Sequence, residues 1–294
     1  MSVARHSQPV IRPINHRARA RGGLAVRYAF LFVWLLICVL PVIVLVMASF
    51  KDTALFQTIP QILAPAGFTL ENYERSFRQG NYLHFLRNSM IISFSSLIVV
   101  LIVCTPMAYG ITKLASPRAR GALVFLVLST RFLPYVVLAL PLYLFFARIG
   151  LSGTLTGVIL AHLAMQMPFI VWLMLGFFSG IPREVEEAAV IDGCTPFGVF
   201  WRICLPMVLP GLNAAAILAF IISYNEFLFA FFLAGYDAQP LTVGITRFLG
   251  GADVGAQYGV MAAYGSLIIL PIIFFALIVN RYIVSGLTQG AVKG

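Results

Sequence analysis

Few side chains in this 294-residue sequence are of a kind that does chemistry. Of its ten acids, four (Glu184, Glu186, Glu187 and Asp192) fall in one stretch, residues 181–210. Two further charges, Arg131 and Glu226, sit inside long apolar runs. A charge near the centre of a bilayer costs about 2.5–3.5 kcal/mol on insertion scales, so such groups face protein or water rather than lipid. Arg131 and Glu226 are therefore expected to face a bundle interior, either on a solute path with Tyr224 and Asn225 or in a contact that fixes packing. Ser223 and Asn225 suit hydroxyl binding, but Ser and Asn also glue membrane helices together. The four cysteines, Cys38, Cys104, Cys194 and Cys204, form no C-x-x-C, so neither a metal site nor a disulfide framework is supported. No G-x-x-x-x-G-K-[ST] occurs, so the chain has no nucleotide site of its own.

The acidic stretch needs two helices to position it. Pro182 is expected as a first helical residue, where its missing N–H costs nothing. Val185 and Ala189 give that helix an apolar edge, with Glu184 and Glu187 near each other beside it. Gly193 then releases the backbone from helical geometry. Thr195-Pro196 reads as an N-cap followed by a first-turn proline. Phe197, Phe200, Trp201 and Cys204 follow at i, i+3, i+4, i+7 and predict an apolar stripe. The stretch is thus a helix, a glycine hinge and a second helix. Without further information it reads as a solvated loop lying on a bilayer surface.

Its residues say more. Glu187-Ala188-Ala189, Gly193, Ile203, Leu205 and Pro206 have the spacing E-A-A-x3-G-x9-I-x-L-P. This resembles the EAA loop of permease subunits in binding-protein-dependent ABC importers. The resemblance implies an all-α, polytopic, type I importer permease with six transmembrane helices. It implies that the loop enters a groove on a cytoplasmic ATPase, through Glu184, Glu187, Ala188, Ala189, Asp192, Gly193, Phe197, Ile203, Leu205 and Pro206. It further implies a second, homologous permease, two ATPase copies and an extracytoplasmic substrate-binding protein, in a bacterial inner membrane. This chain would bind no cofactor; ATP and Mg would sit on the ATPase.

Composition agrees with a membrane protein. Hydrophobic residues make up 61% and charged residues 10%, where soluble chains carry about 25% charge. Apolar runs long enough to span a bilayer recur. Six spans are predicted, near residues 28–50, 85–112, 122–146, 154–178, 207–234 and 258–283. A basic tail, residues 1–27, is expected to be disordered and cytoplasmic. The permease domain would cover residues 28–284, with the central loop at 180–206 and a C-terminal tail at 285–294. Thirteen Lys and Arg fall on the side holding the tail, the loop after the second span, the central loop and the C-terminus, against six opposite. That bias places both termini inside. The net charge of +10 is thus a topology signal in segments flanking the spans, and no nucleic-acid partner is expected.

Weaker motifs resemble the carbohydrate-uptake branch that includes the smaller permease of the maltose-type system. They are Asn88-Ser89, Tyr224-Asn225-Glu226-Phe227, and the C-terminal run from Gly286 to Gly294. The branch implies a sugar or polyol cargo, and residues 51–84 and 235–257 as docking surfaces for the binding protein. Two rivals are weaker. An ion-coupled secondary transporter is disfavoured because no Gly/Pro-broken helix pair is evident in both halves. An intramembrane serine protease rests on Gly150-Leu151-Ser152-Gly153 with His162 as base, but turns select Gly and Ser anyway, and His162 reads better as a packed residue.

Overall fold

The computed structural model describes residues 16–51, 67–114, 116–250 and 256–291. Residues 1–15 of the basic tail and residues 292–294 lie outside them. The described residues form helices and no β-strand, with one isolated bridge between Lys51 and Phe68. Helix α1 (His16–Ser49) is apolar and exposed along its span, as a lipid-facing helix should be. It starts at His16, so residues 16–27 are helical rather than disordered; Arg and Ala are good helix formers that extend a span backwards. Helix α2 (Glu71–Arg78) follows, then α3 (Tyr82–Thr112).

The third predicted span, near residues 122–146, is not one continuous helix. Helix α4 (Pro117–Ser129) runs through a 3-10 turn at Thr130–Phe132, and α5 (Tyr135–Arg148) leaves at 90°. Leu133 and Pro134 are extended at the corner. Proline removes a backbone donor and biases its predecessor away from the helical region, which accounts for the break. Helix α6 (Leu155–Ser179) then crosses unbroken despite Pro168.

The central stretch folds into α7 (Arg183–Ile191), α8 (Pro196–Val199), a π-helical turn (Phe200–Cys204) and α9 (Leu205–Met207). A 74° bend leads into α10 (Leu209–Tyr224), and after a break comes α11 (Leu228–Leu233). The fifth span is thus also discontinuous. Helix breaks therefore occur in both halves, the first at Pro134 and the second at residues 225–227, which hold neither proline nor glycine. Helix α12 (Leu241–Gly244) and a short 3-10 turn precede α13 (Tyr258–Ala291). The last helix continues through the segment expected to be a separate C-terminal tail. Among the described residues, four helices are long and apolar enough to cross a membrane, and the number rises to six if each of the two bent pairs forms one span.

Helices α3, α6 and α10 form the centre, with α1 and α13 paired at the side. One core cluster joins the inner halves of α3 and α6 to Ala189, Val199, Phe200 and Cys204 of the central stretch. A second joins α5, α6 and α11. A third, rich in aromatics, joins Tyr82, Phe85, Phe220, Tyr224, Phe248 and Tyr264.

Candidate functional site

The central stretch is neither a free loop nor a surface-lying one. Its buried side is anchored in the same apolar core as the spans, which places its other side outward on a firm base. Helix α7 ends in a Schellman arrangement. The Cys194 amide donates to the Ala189 carbonyl and the Gly193 amide to that of Val190, each at 3.0 Å. Gly193 has φ of +87°, the left-handed conformation this motif requires of its glycine. Thr195 caps α8 by accepting from the Gly198 amide at 3.1 Å, with Pro196 behind it, as the sequence predicts. Pro182 sits one place earlier than expected, as the extended N-cap residue of α7.

The π-turn lies just before Pro206. A proline there removes a donor and crowds the carbonyl four residues back, and a wider turn relieves both. The predicted stripe is split by this turn. Phe200 and Cys204 are buried, while Phe197 and Trp201 face out. Of the sites expected to meet an ATPase, Glu184, Glu187, Ala188, Asp192, Gly193, Phe197 and Pro206 are exposed. Ile203 and Leu205 are half-buried and Ala189 is buried, so these three serve the base of the surface. Ile191 is 86% exposed and Phe197 72% exposed, on either side of Gly193.

Sequence reasoning missed Glu186. It turns inward and pairs with Lys113 at the end of α3, and the Tyr109 hydroxyl donates to it at 3.3 Å. Lys113 lies over the Tyr109 ring at 4.7 Å. The signal was present: Glu186 precedes Ala189 by three residues and so shares its face of the helix.

At membrane depth, Arg131 and Glu226 do not pair with each other. Arg131 is exposed at the α4–α5 corner, with its guanidinium 5.3 Å from the Phe169 ring. It borders a cavity of about 370 Å³ that also touches Tyr135, Pro168 and Phe229. Glu226 is buried. Its carboxylate accepts from the amides of Phe229 at 2.9 Å and Ala230 at 3.1 Å, capping α11. Its Oε2 is also 3.1 Å from Nε2 of His162, whose Nδ1 is 2.8 Å from Ser223 Oγ. His162 is thus packed, as expected, but it is not alone. Its ring meets Ser223 and Glu226, and no hydrogen bond joins it to Ser152 among the described residues. Tyr224 is fully buried, donating to the Ile268 carbonyl at 3.1 Å, and so packs rather than lines a surface. Asn225 is exposed and donates to the Ile221 carbonyl at 2.9 Å.

On the opposite end, Asn88 Nδ2 donates to the carbonyls of Asp237 and Gln239 at 2.8 and 3.0 Å, and Ser89 Oγ accepts from the Leu241 amide at 2.8 Å. The Asn88-Ser89 pair is therefore what fastens the segment after α11 to α3. Arg247 lies over the rings of Phe85 and Tyr236 at 4.7 and 4.3 Å.

Comparison with known proteins bears directly on this arrangement. The family described as "Binding-protein-dependent transport system inner membrane component" matches residues 104–289, which contain the whole central stretch. The trehalose transport system permease protein SugB of Mycobacterium tuberculosis is 35% identical over 87% of this chain and 92% of its own. The trehalose/maltose transport system permease protein MalG of Thermococcus litoralis is 32% identical over 88% of this chain and 93% of its own. Among solved structures, a chain from a bacterial ABC transporter involved in alginate import shares the fold, with a TM-score of 0.67 at 18% identity, over 95% of this chain and all of that one. With a packed glycine-hinged helix pair carrying the E-A-A spacing, and this match over most of its length, the chain belongs to the inner-membrane permease components of binding-protein-dependent ABC transport systems.

Proposed function

We propose that this chain forms one half of the membrane pathway of an ATP-driven importer for a sugar, polyol or related glycoside. A second, homologous permease supplies the other half. Two copies of a cytoplasmic ABC ATPase, which hold ATP and Mg, sit beneath the pair, and a binding protein delivers cargo from outside. The carbohydrate class is supported by relatives named for trehalose and maltose transport. The observation that carries the coupling role is the exposure of Ile191 and Phe197 beside Gly193, on a helix pair whose other side is anchored in the core. Two large apolar side chains left bare on a firm, acid-rimmed surface fit insertion into a partner's groove.

Both termini are assigned to the cytoplasm from the distribution of basic residues. The outer end, where Tyr236 and Arg247 lie against α3 beside α2, is the docking surface assigned to the binding protein. Parts of both docking segments, residues 52–66 and 251–255, lie outside the described residues. The Arg131 cavity and Asn225 are the cargo-path contacts assigned to this subunit. ATP binding closes the ATPase dimer, the helix pairs move with their grooves, and the permeases turn outward. Cargo biases this cycle only through its different affinity for the two states.

The test is charge reversal at Glu187. Glu187→Lys should reduce co-purification of the ATPase and abolish transport while membrane insertion is unchanged. Glu71→Lys, at the opposite end, should leave ATPase co-purification intact. Unchanged ATPase binding and transport in Glu187→Lys would contradict the coupling role.

A further inference from the structure

A groove of about 500 Å³ lies between α4 and α6, at the end of the molecule that carries the central stretch. Its size falls within the roughly 300–1,000 Å³ of small-molecule sites. The lining is polar where the two helices end, at Arg120 and Ser179, and apolar further in, at Val124, Trp172 and Phe177. Gly176 also lines it, and a Cβ added there meets nothing within 4 Å. The missing side chain therefore leaves a trough open rather than letting two helices touch. Trp172 is 50% exposed and lies about 10 Å before the end of α6 at Ser179. Tryptophan favours this level of a bilayer, where its ring packs among chains and its N–H stays wet.

The charge at the mouth of the groove is unbalanced. Arg118 and Arg120 stand in the first turn of α4, and no acid shares that turn. Cations are disfavoured at a helix N-terminus, where the backbone already presents positive partial charge. Among the described residues, neither arginine forms a salt bridge with a carboxylate. Arg120 Nη2 donates to the Thr112 carbonyl at the end of α3 at 2.6 Å. That bond holds the guanidinium at the rim, and its fork has further donors for an anion. A second groove of about 570 Å³, between α3 and the π-turn, has no charged residue in its lining. Of the two, the α4–α6 groove is the one that joins an apolar trough to a cation.

We propose that the α4–α6 groove binds an anionic phospholipid from the leaflet at this end of the molecule. The phosphate accepts from Arg120, with Arg118 in the same turn adding positive potential. One acyl chain lies along Val124, Trp172 and Phe177, over Gly176. Basic pockets between membrane helices select anionic headgroups for this reason: the guanidinium pairs with the phosphate while the chain exchanges one apolar surrounding for another. The site is separate from the cargo path and from the surface assigned to the ATPase.

The test is native mass spectrometry of the assembled transporter released from nanodiscs of phosphatidylglycerol and phosphatidylethanolamine in equal parts. The wild-type complex should retain phosphatidylglycerol in preference to phosphatidylethanolamine. Arg120→Gln should lower the apparent affinity for phosphatidylglycerol about 5-fold, as expected for one cation at the membrane surface, and Arg120→Lys should keep most of it. Gly176→Phe adds a ring that points back over Trp172 and Leu173. It fills the trough with the charge untouched, and should lower phosphatidylglycerol retention as far. Arg148→Gln, which changes a cation at the end of α5, should leave retention as in the wild type. The mass of the intact assembly shows that each variant is folded. Equal retention of the two lipids by the wild type, or unchanged phosphatidylglycerol affinity in either Arg120→Gln or Gly176→Phe, would overturn the proposal. So would displacement of the lipid by millimolar inorganic phosphate, or a density map of the complex in which a helix of another subunit fills the groove.

Discussion

Gly193 shows how much one residue settles. Its φ of +87° has open space around the missing Cβ, so a side chain there meets no neighbour and only the backbone is strained. Gly193→Ala should therefore cost about 1–2 kcal/mol of local stability and lower transport a few-fold. Gly193→Pro fixes φ near −65° and cannot form the turn; transport should be lost with insertion unchanged, as read by uptake and membrane fractionation. A transport level in Gly193→Pro equal to that in Gly193→Ala would show that the turn is not required. At this scale the sequence was most readable. Gly193, Thr195 and Pro196 announce their roles because backbone geometry restricts the residues that fit. Phe197, Phe200, Trp201 and Cys204 were half-read: a regular helix would keep them on one stripe, and the π-turn at Phe200–Cys204 moves Phe197 and Trp201 outward. The His162–Glu226 contact was not legible. It joins residues 64 positions apart by sequence number, and only the packing of α6 on α10 brings them together.

Elements were legible where their hydrophobic runs were long and uniform. The spans at α3, α6 and α13 begin within a few residues of where they were expected. The breaks were missed because an apolar run looks the same whether it is straight or bent. Pro134 marked the first corner, but proline is also common in intact membrane helices, and α6 keeps Pro168 without breaking. The 74° bend lies between Pro206 and Pro210, but the break between α10 and α11 has neither proline nor glycine; its marker is Glu226, which reads as an intramembrane charge until its capping of α11 is seen. How α7 is held to α3 is likewise an element-level property. Lys113 is 40% exposed, so its pair with Glu186 is partly screened and is expected to contribute about 0.5–1 kcal/mol. A double-mutant cycle with Lys113→Ala and Glu186→Ala, read by thermal unfolding of the assembled complex, should return a coupling energy in that range. A coupling near zero would mean that apolar burial alone holds α7 in place.

As a whole molecule, the chain joins the surface of the central stretch to its opposite end through α3, α6 and α10. Helix α10 starts at the bend after α9 and ends at the joint with α6, beyond which α11 and the segment fastened to Asn88 and Ser89 form the outer end. The membrane class was plain from composition, and the family from the spacing of the central motif. The outer surfaces were legible only as polar segments, because their shape comes from tertiary contacts such as Arg247 over Phe85 and Tyr236. The most direct test of the central claim is site-specific photo-crosslinking in the intact membrane complex. A photoreactive residue at Ile191 or Phe197 should crosslink to the ATPase subunit, whereas one at Phe68, exposed at the other end, should not. Crosslinks from positions 191 and 197 to lipid alone, with the ATPase captured elsewhere or not at all, would contradict the account.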